Sequence, residues 1–432
     1  MASGQLRGDE SFPVGGKVAE PLLLTASMAA NRIAVVGGGI NGSGIAWELA
    51  RRGYEVTLFE KGVCGAQTSS ATTKMIHGGL RYLEHLHFAL VRESLRERAW
   101  LLKNAPELVR PLEIVLPVYE DSPRSRSAIK VGLVLYDRLA GSENIAPHRT
   151  LSMQELLTRA PLVEQGLRGG FSYWDGQVDD FALVRTVVAS AVRDGATVRE
   201  RTRIDGIRRD GPEWVLRTGQ GDEPRFDLVV NAAGPWMNEL LRANGIDAPY
   251  VLSLVRGTHI VLTHAISDAG LLLQSTTDRR VFFVLPWKGT TLVGTTEVVQ
   301  HEPPDLVHAS AEEVEYLIHR FNRYFRTPIT HDHVQSAFAG VRPLVGRATN
   351  PSAIGRDFRV VRDGNLINVF GGKMTTFMAL ARKVAMRADN FFGRTREAKE
   401  PVFNPERTSN PERSEGSMEP PRELARQAPH MA

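Results

Sequence analysis

The clearest pattern of apolar and polar positions lies near the start of the chain. Arg32–Val36 (RIAVV) is a short β-branched run, which is typical of a buried parallel strand. A glycine-rich stretch follows at residues 37–42, and residues 45–52 have the apolar spacing of a helix. Residues 55–60 (EVTLFE) form a second apolar run. The order of strand, glycine turn, helix and strand predicts a βαβ unit.

Further along the chain, the pattern changes twice. Residues 251–296 alternate between apolar and polar positions in three short runs, which predicts antiparallel strands. Residues 365–370 return to a buried strand, and a helix is predicted from residue 375 to about residue 391. The chain is therefore predicted to be an α/β protein, in which a Rossmann-like domain carries an inserted domain of mixed and antiparallel sheet.

Composition narrows the class of protein. Of the 432 residues, 53 are basic and 49 acidic, and this net charge of +4 gives no case for a nucleic-acid partner. The mild positive excess fits an anionic substrate or an anionic membrane surface equally well. Cys64 is the only cysteine, which excludes an intramolecular disulfide and a thiolate metal cluster. We expect a reducing compartment, the cytoplasm, and no metal site.

Both ends of the chain look unlike the rest. Residues 1–30 are predicted to be a flexible extension, in which residues 21–30 only faintly resemble a signal peptide. Residues 394–432 are rich in Pro, Glu, Arg and Ser and are predicted to be a disordered tail.

The glycine turn carries the first functional signal. Gly37, Gly39 and Gly42 satisfy the GxGxxG pattern, which serves the tight turn, the approach of a pyrophosphate and close helix packing in that order. Glu60, at the end of the second strand, is placed to accept hydrogen bonds from an adenosine ribose. This arrangement predicts a dinucleotide but does not separate FAD from NAD.

The segment that follows is more specific. Residues 68–85 (TSSATTKMIHGGLRYLEH) resemble the flavin-contacting loop of FAD-dependent glycerol-3-phosphate dehydrogenases, which are D-amino-acid-oxidase-like flavoproteins. The resemblance covers roughly residues 31–393. Further matches follow in order along the chain, at residues 231–236 (NAAGPW), 256–260 (RGTHI), 294–297 (GTTE), 340–344 (GVRPL) and 371–376 (GGKMTT).

The resemblance implies FAD as the cofactor and a particular division of the chain. An FAD-binding domain would comprise residues 31–108, 176–248 and 345–393, and a substrate domain residues 109–175 and 249–344. Members of the family usually continue into a helical C-terminal domain, which the predicted tail replaces here. This departure leaves oligomerisation and membrane docking open.

The resemblance also implies the site residues. The cofactor would contact the glycine turn, Glu60 and residues of two later loops, namely Thr68, Ser69, Ser70, Lys74, His77, Gly371, Gly372, Lys373, Met374 and Thr375. The substrate would contact Arg81, Tyr82, Arg342, Arg356 and Lys373. His259 is the first choice for the base that takes the hydroxyl proton, since imidazole titrates near neutral pH. Arg342 would stabilise the developing alkoxide, and a purely structural role for His259 stays open.

The implied reaction is the oxidation of sn-glycerol 3-phosphate to dihydroxyacetone phosphate by hydride transfer to flavin N5. Electrons would pass to quinone or oxygen. Two alternatives remain: a related flavin oxidase that acts on an amino or hydroxy acid, and a truncated, non-catalytic flavoprotein. Residues 124–141 would suit a peripheral position on the inner face of the cell membrane, or else form a helix that covers the core.

Overall fold

The computed structural model describes residues 31–346, 357–394 and 396–403. The predictions for residues 1–30, for residues 404–432 and for Arg356 lie outside this part of the chain. The strands, in chain order, are β1 (Arg32–Val36), β2 (Glu55–Phe59), β3 (Met75–Ile76), β4 (Val109–Tyr119), β5 (Arg149–Leu151), β6 (Leu167–Val178), β7 (Thr197–Arg199), β8 (Ile204–Asp210), β9 (Glu213–Thr218), β10 (Arg225–Phe226), β11 (Leu228–Asn231), β12 (Leu252–Leu262), β13 (Gly270–Gln274), β14 (Val281–Trp287), β15 (Thr290–Gly294), β16 (Val298–Val299), β17 (Val334–Val345), β18 (Arg359–Asp363) and β19 (Leu366–Phe370). The helices are α1 (Ile40–Arg51), α2 (Phe88–Asn104), α3 (Arg126–Ala140), α4 (Met153–Arg159), α5 (Asp180–Arg193), α6 (Met237–Ala243), α7 (Ala311–Asn322) and α8 (Phe377–Phe392).

A six-stranded sheet in the order β18-β19-β11-β1-β2-β7 carries the predicted βαβ unit. Its strands are parallel except for β18, which pairs with β19 in the antiparallel sense. Helix α1 packs between α5 and α8 beside this sheet. The β-branched residues of β1 are buried because helices and neighbouring strands cover them. The predicted βαβ unit is confirmed, although α1 begins earlier than its apolar spacing indicated.

A ten-stranded sheet forms the second layer, in the order β16-β12-β15-β14-β13-β4-β6-β3, with β17 paired to β12 and β5 paired to β6. Its pairings are antiparallel apart from that of β13 with β4. The predicted antiparallel strands within residues 251–296 are confirmed. The long pair β4 and β6 was not predicted, because prolines in β4 and glycines in β6 interrupt the apolar alternation. A third, small antiparallel sheet has the order β10-β9-β8. The predicted α/β class is confirmed.

The apolar face of α3 is turned into the protein. Ile129, Leu133 and Tyr136 are buried in a cluster with residues of α2, β4 and β6. The reading of residues 124–141 as a helix that covers the core therefore agrees with the structure. Within the described residues, we find no helix with the length and apolar character needed to cross a membrane.

Part of the predicted tail is ordered against the first helix. The ring of Phe403 lies 5.1 Å from that of Trp47 and 5.4 Å from that of Trp100, and Arg51 donates a hydrogen bond to the backbone oxygen of Lys399. The prediction of disorder from residue 394 onward is wrong for residues 396–403. A polar composition concealed one aromatic residue, whose burial between two tryptophans stabilises this stretch.

Candidate active site and cofactor cleft

The glycine turn between β1 and α1 has no room for side chains. Gly37 has a φ of +108°, and a Cβ there would lie 2.5 Å from the backbone oxygen of Ala232. A Cβ on Gly42 would lie 1.8 Å from the backbone oxygen of Gly37. These close approaches explain why glycine occupies both positions. They bring the first turn of α1 against the end of β1.

The N-terminus of α1 opens onto a cleft. Its N-cap residue, Gly39, has no side chain to occupy the backbone N–H groups of the first turn. The hydroxyl Oγ of Ser69 accepts a hydrogen bond of 2.9 Å from the N–H of Ile40. The backbone N–H groups of the first turn and the positive end of the helix dipole favour a phosphate at this point.

Glu60 lies at the end of β2 beside the same turn. Its carboxylate oxygens accept hydrogen bonds from the N–H of Gly38 at 2.7 Å and from the N–H of Gly62 at 2.9 Å. These two bonds fix the orientation of the carboxylate. The two carboxylate oxygens offer more acceptor positions than these two bonds use, so Glu60 remains able to bind ribose hydroxyls.

Two adjoining cavities form one long cleft. The first, of about 400 Å³, is lined by the glycine turn and Glu60, and the second measures about 240 Å³. Thr68, Thr72, Pro343, Gly372 and Met374 line both of them. A cleft that begins at a nucleotide-binding turn and continues into a second chamber fits an elongated dinucleotide whose reactive ring lies at its far end.

The first cavity contains residues that the sequence had not singled out. They come from segments far apart in the chain and include Asn41, Lys61, Thr202, Arg203, Asp205, Trp236 and Asp305. Asn41 lies within the glycine-rich stretch at residues 37–42 and Trp236 within the matched segment at residues 231–236, and these were the only sequence signals for the seven positions. The others are polar residues of types that are common on protein surfaces.

Cationic side chains gather on the wall of the second cavity. They are Arg81, Arg280, Arg342 and Lys373. The sequence predicted three of them. Arg280 was missed because it follows another arginine before β14, where a basic pair resembles a solvated turn. Tyr82, His77 and Thr375 line the same cavity, as predicted residues of the two loops.

Each cation is anchored by the surrounding protein. Nη2 of Arg342 donates to Oγ1 of Thr295 at 2.9 Å, and Nζ of Lys373 donates to Oγ of Ser94 at 2.7 Å. Nη1 of Arg280 donates to the backbone oxygen of Glu297 at 3.0 Å.

The Glu297 carboxylate also lies on the cavity wall, 3.9 Å from Nη2 of Arg81. The anchored cations form a preorganised site for an anion.

His259 is not on the cavity wall. Its side chain is 0% exposed, it stacks on Phe338 with ring centroids 5.0 Å apart, and its Nε2 lies 3.0 Å from Oγ1 of Thr73. Burial, with contributions from Arg342 and Lys74, lowers the pKa of His259 well below 6.5. The imidazole is therefore neutral, but Thr73 stands between it and the cavity. Direct proton abstraction by His259 does not fit this placement.

Neither Lys74 nor Ser70 lines either cavity. Nζ of Lys74 donates to the backbone oxygen of Ser70 at 2.7 Å and to Oδ1 of Asp180 at 2.7 Å. Oγ of Ser70 donates to the backbone oxygen of Gln67 at 3.0 Å. The placement does not support the predicted cofactor contacts of either residue. Their bonds hold the shape of the loop, in which Lys74 has a φ of +58°.

A buried polar network supports the other half of that loop. Oδ1 of Asp175 accepts hydrogen bonds from Nη1 of Arg98 at 2.8 Å and from the hydroxyl of Tyr136 at 2.7 Å. The N–H of Gly78 donates to the Tyr136 hydroxyl at 2.8 Å. Burial raises the pKa of Asp175 despite the neighbouring guanidinium. This network joins α2, α3 and β6 beneath the predicted flavin-contacting loop, and sequence patterns could not reveal it.

Comparison with known proteins agrees with this geometry. The profile of the FAD dependent oxidoreductase family matches residues 32–387. D-erythritol 1-phosphate dehydrogenase of Brucella abortus is 38% identical over 372 residues, which are 83% of this chain and 73% of that protein. Glycerol-3-phosphate dehydrogenase of Pseudomonas aeruginosa is 39% identical over 374 residues, 83% of this chain and 72% of that protein.

Solved structures share the fold. Glycerol-3-phosphate dehydrogenase of Bacillus halodurans, complexed with FAD, has a TM-score of 0.68 at 24% identity and covers 86% of this chain and 67% of its own. L-α-glycerophosphate oxidase of Mycoplasma pneumoniae, also with FAD bound, has a TM-score of 0.68 at 19% identity and covers 87% of this chain and 97% of its own.

The cleft and the comparisons lead to one cofactor. The glycine turn, the helix N-terminus and Glu60 are suited to the adenosine diphosphate half of FAD, and the second cavity extends toward the two loops that match the flavoprotein pattern. FAD is accordingly the cofactor of this protein. With the family match across most of the folded region, this chain belongs to the FAD-dependent oxidoreductases.

Proposed function

We propose that this protein oxidises the secondary alcohol of sn-glycerol 3-phosphate to give dihydroxyacetone phosphate. The observation that carries the proposal is the group of anchored cations on the second cavity, which adjoins the cofactor cleft. A phosphate dianion requires such a site, preferably with forked guanidinium groups. The names of relatives at 36–39% identity, including the aerobic glycerol-3-phosphate dehydrogenase of Escherichia coli, support the same substrate.

The cations have separate roles in this proposal. Arg81 and Lys373 bind the phosphate, and Tyr82 shapes the pocket with its ring 4.7 Å from Nζ of Lys373. Arg342 faces the reacting hydroxyl, where its positive charge favours the developing alkoxide. Arg356, which the resemblance implied as a further phosphate ligand, lies outside the described residues.

The proton of the hydroxyl must leave as the alcohol is oxidised. When bound, FAD supplies the hydride acceptor that this oxidation requires. Thr73 presents its side chain to the cavity with His259 behind it, so the pair can carry the proton away through the Thr73 hydroxyl. Nε2 of His259 holds the proton only transiently, because burial disfavours the charged imidazole. In this arrangement His259 acts through Thr73. Electrons would then pass to quinone or oxygen.

An anaerobic titration tests the substrate. Glycerol 3-phosphate added to the purified holoprotein should bleach the flavin absorption band, and free glycerol should not, because it lacks the anion.

Arg342→Met should lower kcat/KM by about 100- to 1000-fold, as expected when a charge-stabilising donor is removed. The matched control is Arg326→Met, since Arg326 is an exposed arginine paired with Glu164 at 3.7 Å and lines neither cavity. This control should behave as the unaltered protein does.

One relative favours a second substrate in the same chemical class. The Brucella abortus protein, named for D-erythritol 1-phosphate, is 38% identical to this chain. A parallel titration with D-erythritol 1-phosphate compares the two polyol phosphates directly. If only an amino or hydroxy acid bleached the band, the protein would be a related flavin oxidase and the proposal would be wrong. If no substrate bleached it, the protein would be a non-catalytic flavoprotein.

The same preparation separates the two electron acceptors. After anaerobic reduction, rapid return of the flavin band on addition of oxygen would identify an oxidase. Return only on addition of a soluble quinone would identify a dehydrogenase.

A further inference from the structure

Three side chains from distant segments meet at the nucleotide end of the cleft. Lys61 follows Glu60 directly, Trp236 precedes α6, and Asp305 lies in a short turn between β16 and α7. All three line the first cavity, and none of them lines the second. They are therefore next to the predicted ribose site and away from the cations of the second cavity.

Their contacts form a closed triangle. Lys61 forms an ion pair with Oδ1 of Asp305, and Nε1 of Trp236 donates a hydrogen bond of 2.8 Å to Oδ2 of the same carboxylate. Nζ of Lys61 lies 3.7 Å from the centre of the Trp236 ring, which is within cation–π range. Each residue thus contacts the other two, and we call the three residues the clasp.

The clasp joins parts of the chain that belong to different sheets. Lys61 extends from the strand β2 of the six-stranded sheet, whereas Asp305 is carried by the connection that follows β16 of the ten-stranded sheet. Asp305 is the only clasp member from that second group. Burial opposes ionisation of Asp305, but Lys61 and Trp236 outweigh it and hold its pKa below the usual value. The carboxylate is charged at neutral pH and keeps both contacts.

We propose that the clasp retains FAD by closing the adenosine end of its cleft, with Asp305 as the residue that holds Lys61 and Trp236 in place. Opening of this contact would then be part of the path by which the cofactor leaves. Because FAD binding itself follows from the family, this inference does not depend on the identity of the substrate. A cofactor that is released slowly for this reason should escape faster whenever the charge on Asp305 is removed or screened.

The test measures FAD release from the holoprotein. Holoprotein is diluted to a low concentration, and the rise in fluorescence of free FAD gives the release rate. Asp305→Ala should raise that rate by about three- to tenfold, the range expected for a partly exposed ion pair with an added hydrogen bond. Asp305→Asn keeps an acceptor for the Trp236 N–H, so its release rate should lie between those of the unaltered protein and Asp305→Ala.

The control is Asp121→Ala. Asp121 pairs with Arg323 at 2.7 Å and is exposed to a similar degree as Asp305, but it lines neither cavity. Its release rate should match that of the unaltered protein.

Salt provides a second readout that general destabilisation would not reproduce. Raising the ionic strength screens an exposed ion pair, so FAD release should accelerate in the unaltered protein and much less in Asp305→Ala. Release rates of Asp305→Ala and Lys61→Met within twofold of the Asp121→Ala rate would overturn the proposal. A faster release with the same salt dependence as the unaltered protein would also overturn it, since the lost contact would then not be electrostatic.

Discussion

At the scale of single residues, burial decides which titratable groups can take part in chemistry. His259 has the residue type of a catalytic base, but it is enclosed by Thr73, Phe338 and the strand β15. Nδ1 of His259 is buried without a hydrogen-bond partner. An imidazole in this position avoids protonation because the charged form would lose its hydration. This burial keeps His259 neutral. It also means that His259 can reach the cavity only through Thr73.

The low pKa of His259 predicts a pH dependence of stability. Its pKa is lowered well below 6.5 in the folded protein, so between that value and 6.5 the unfolded chain binds a proton that the folded protein does not. Stability should therefore fall as the pH is lowered below about 6.5. The loss from this one group is at most about 1.4 kcal/mol for each pH unit below 6.5, until the pH reaches the pKa of the folded protein.

Urea unfolding of the unaltered protein and of His259→Asn at pH 7.5 and 5.5 measures this effect. Both proteins contain the other ionisable groups, so the difference between their losses reports on the imidazole. Equal losses of unfolding free energy in the two proteins would show that His259 titrates normally.

At the scale of elements, the close contact between the glycine turn and α1 makes one position intolerant of any side chain. Gly42→Ala would place a Cβ 1.8 Å from the backbone oxygen of Gly37, and neither backbone segment can move without disturbing the other. We expect Gly42→Ala to lose bound FAD and to be destabilised by about 1–3 kcal/mol. Flavin absorbance per mole of purified protein and the thermal midpoint give the two readouts.

A second glycine in a helix provides the matched control. A Cβ on Gly132 in α3 would approach no atom more closely than 3.8 Å, at Cδ1 of Leu80. Alanine is a better helix former than glycine, so Gly132→Ala should keep its FAD and gain about 0.5–1 kcal/mol. If Gly42→Ala also retained its flavin, the turn would be less tightly packed than the structure shows.

At the scale of the whole molecule, the cleft that would hold the cofactor is lined by residues from both large sheets. The first cavity is walled by residues that follow β1, β2 and β11, and the second by residues of β14 and β17. A ligand that contacts both groups of strands binds the folded chain and not the unfolded one. Binding of this kind adds to the free energy of unfolding.

Removal of FAD should therefore destabilise the whole fold. At a free FAD concentration about 100 times the dissociation constant, the added free energy of unfolding is about 2.7 kcal/mol. Thermal unfolding of the stripped protein, with FAD added in steps, should show a midpoint that rises with concentration. ADP, which can occupy only the nucleotide end, should give a smaller shift at saturation. A thermal unfolding midpoint that does not change when FAD is added would contradict this placement of the cofactor.

Short stretches of the sequence are sufficient to predict the local features of this protein. The β-branched run of β1, the glycine turn and Glu60 predicted the nucleotide-binding unit, because strand, turn and helix preferences depend on residues close together in the chain. The loops at residues 68–85 and 371–376 indicated FAD through their resemblance to the flavoprotein family. Three of the cations on the second cavity were also predicted, since each lies within a recognisable motif.

Which of these residues share a surface depends on how distant elements pack together. Lys74 pairs with Asp180, 106 positions away in the chain, and Lys61 pairs with Asp305, 244 positions away. Such partners come from the packing of separate elements, which leaves no periodic signal in the sequence. The same packing enclosed His259, brought Arg280 to the cavity and placed Phe403 between two tryptophans. Residue type and spacing indicate which chemistry a side chain is capable of, whereas its burial and its neighbours decide its protonation state and whether it reaches the cavity.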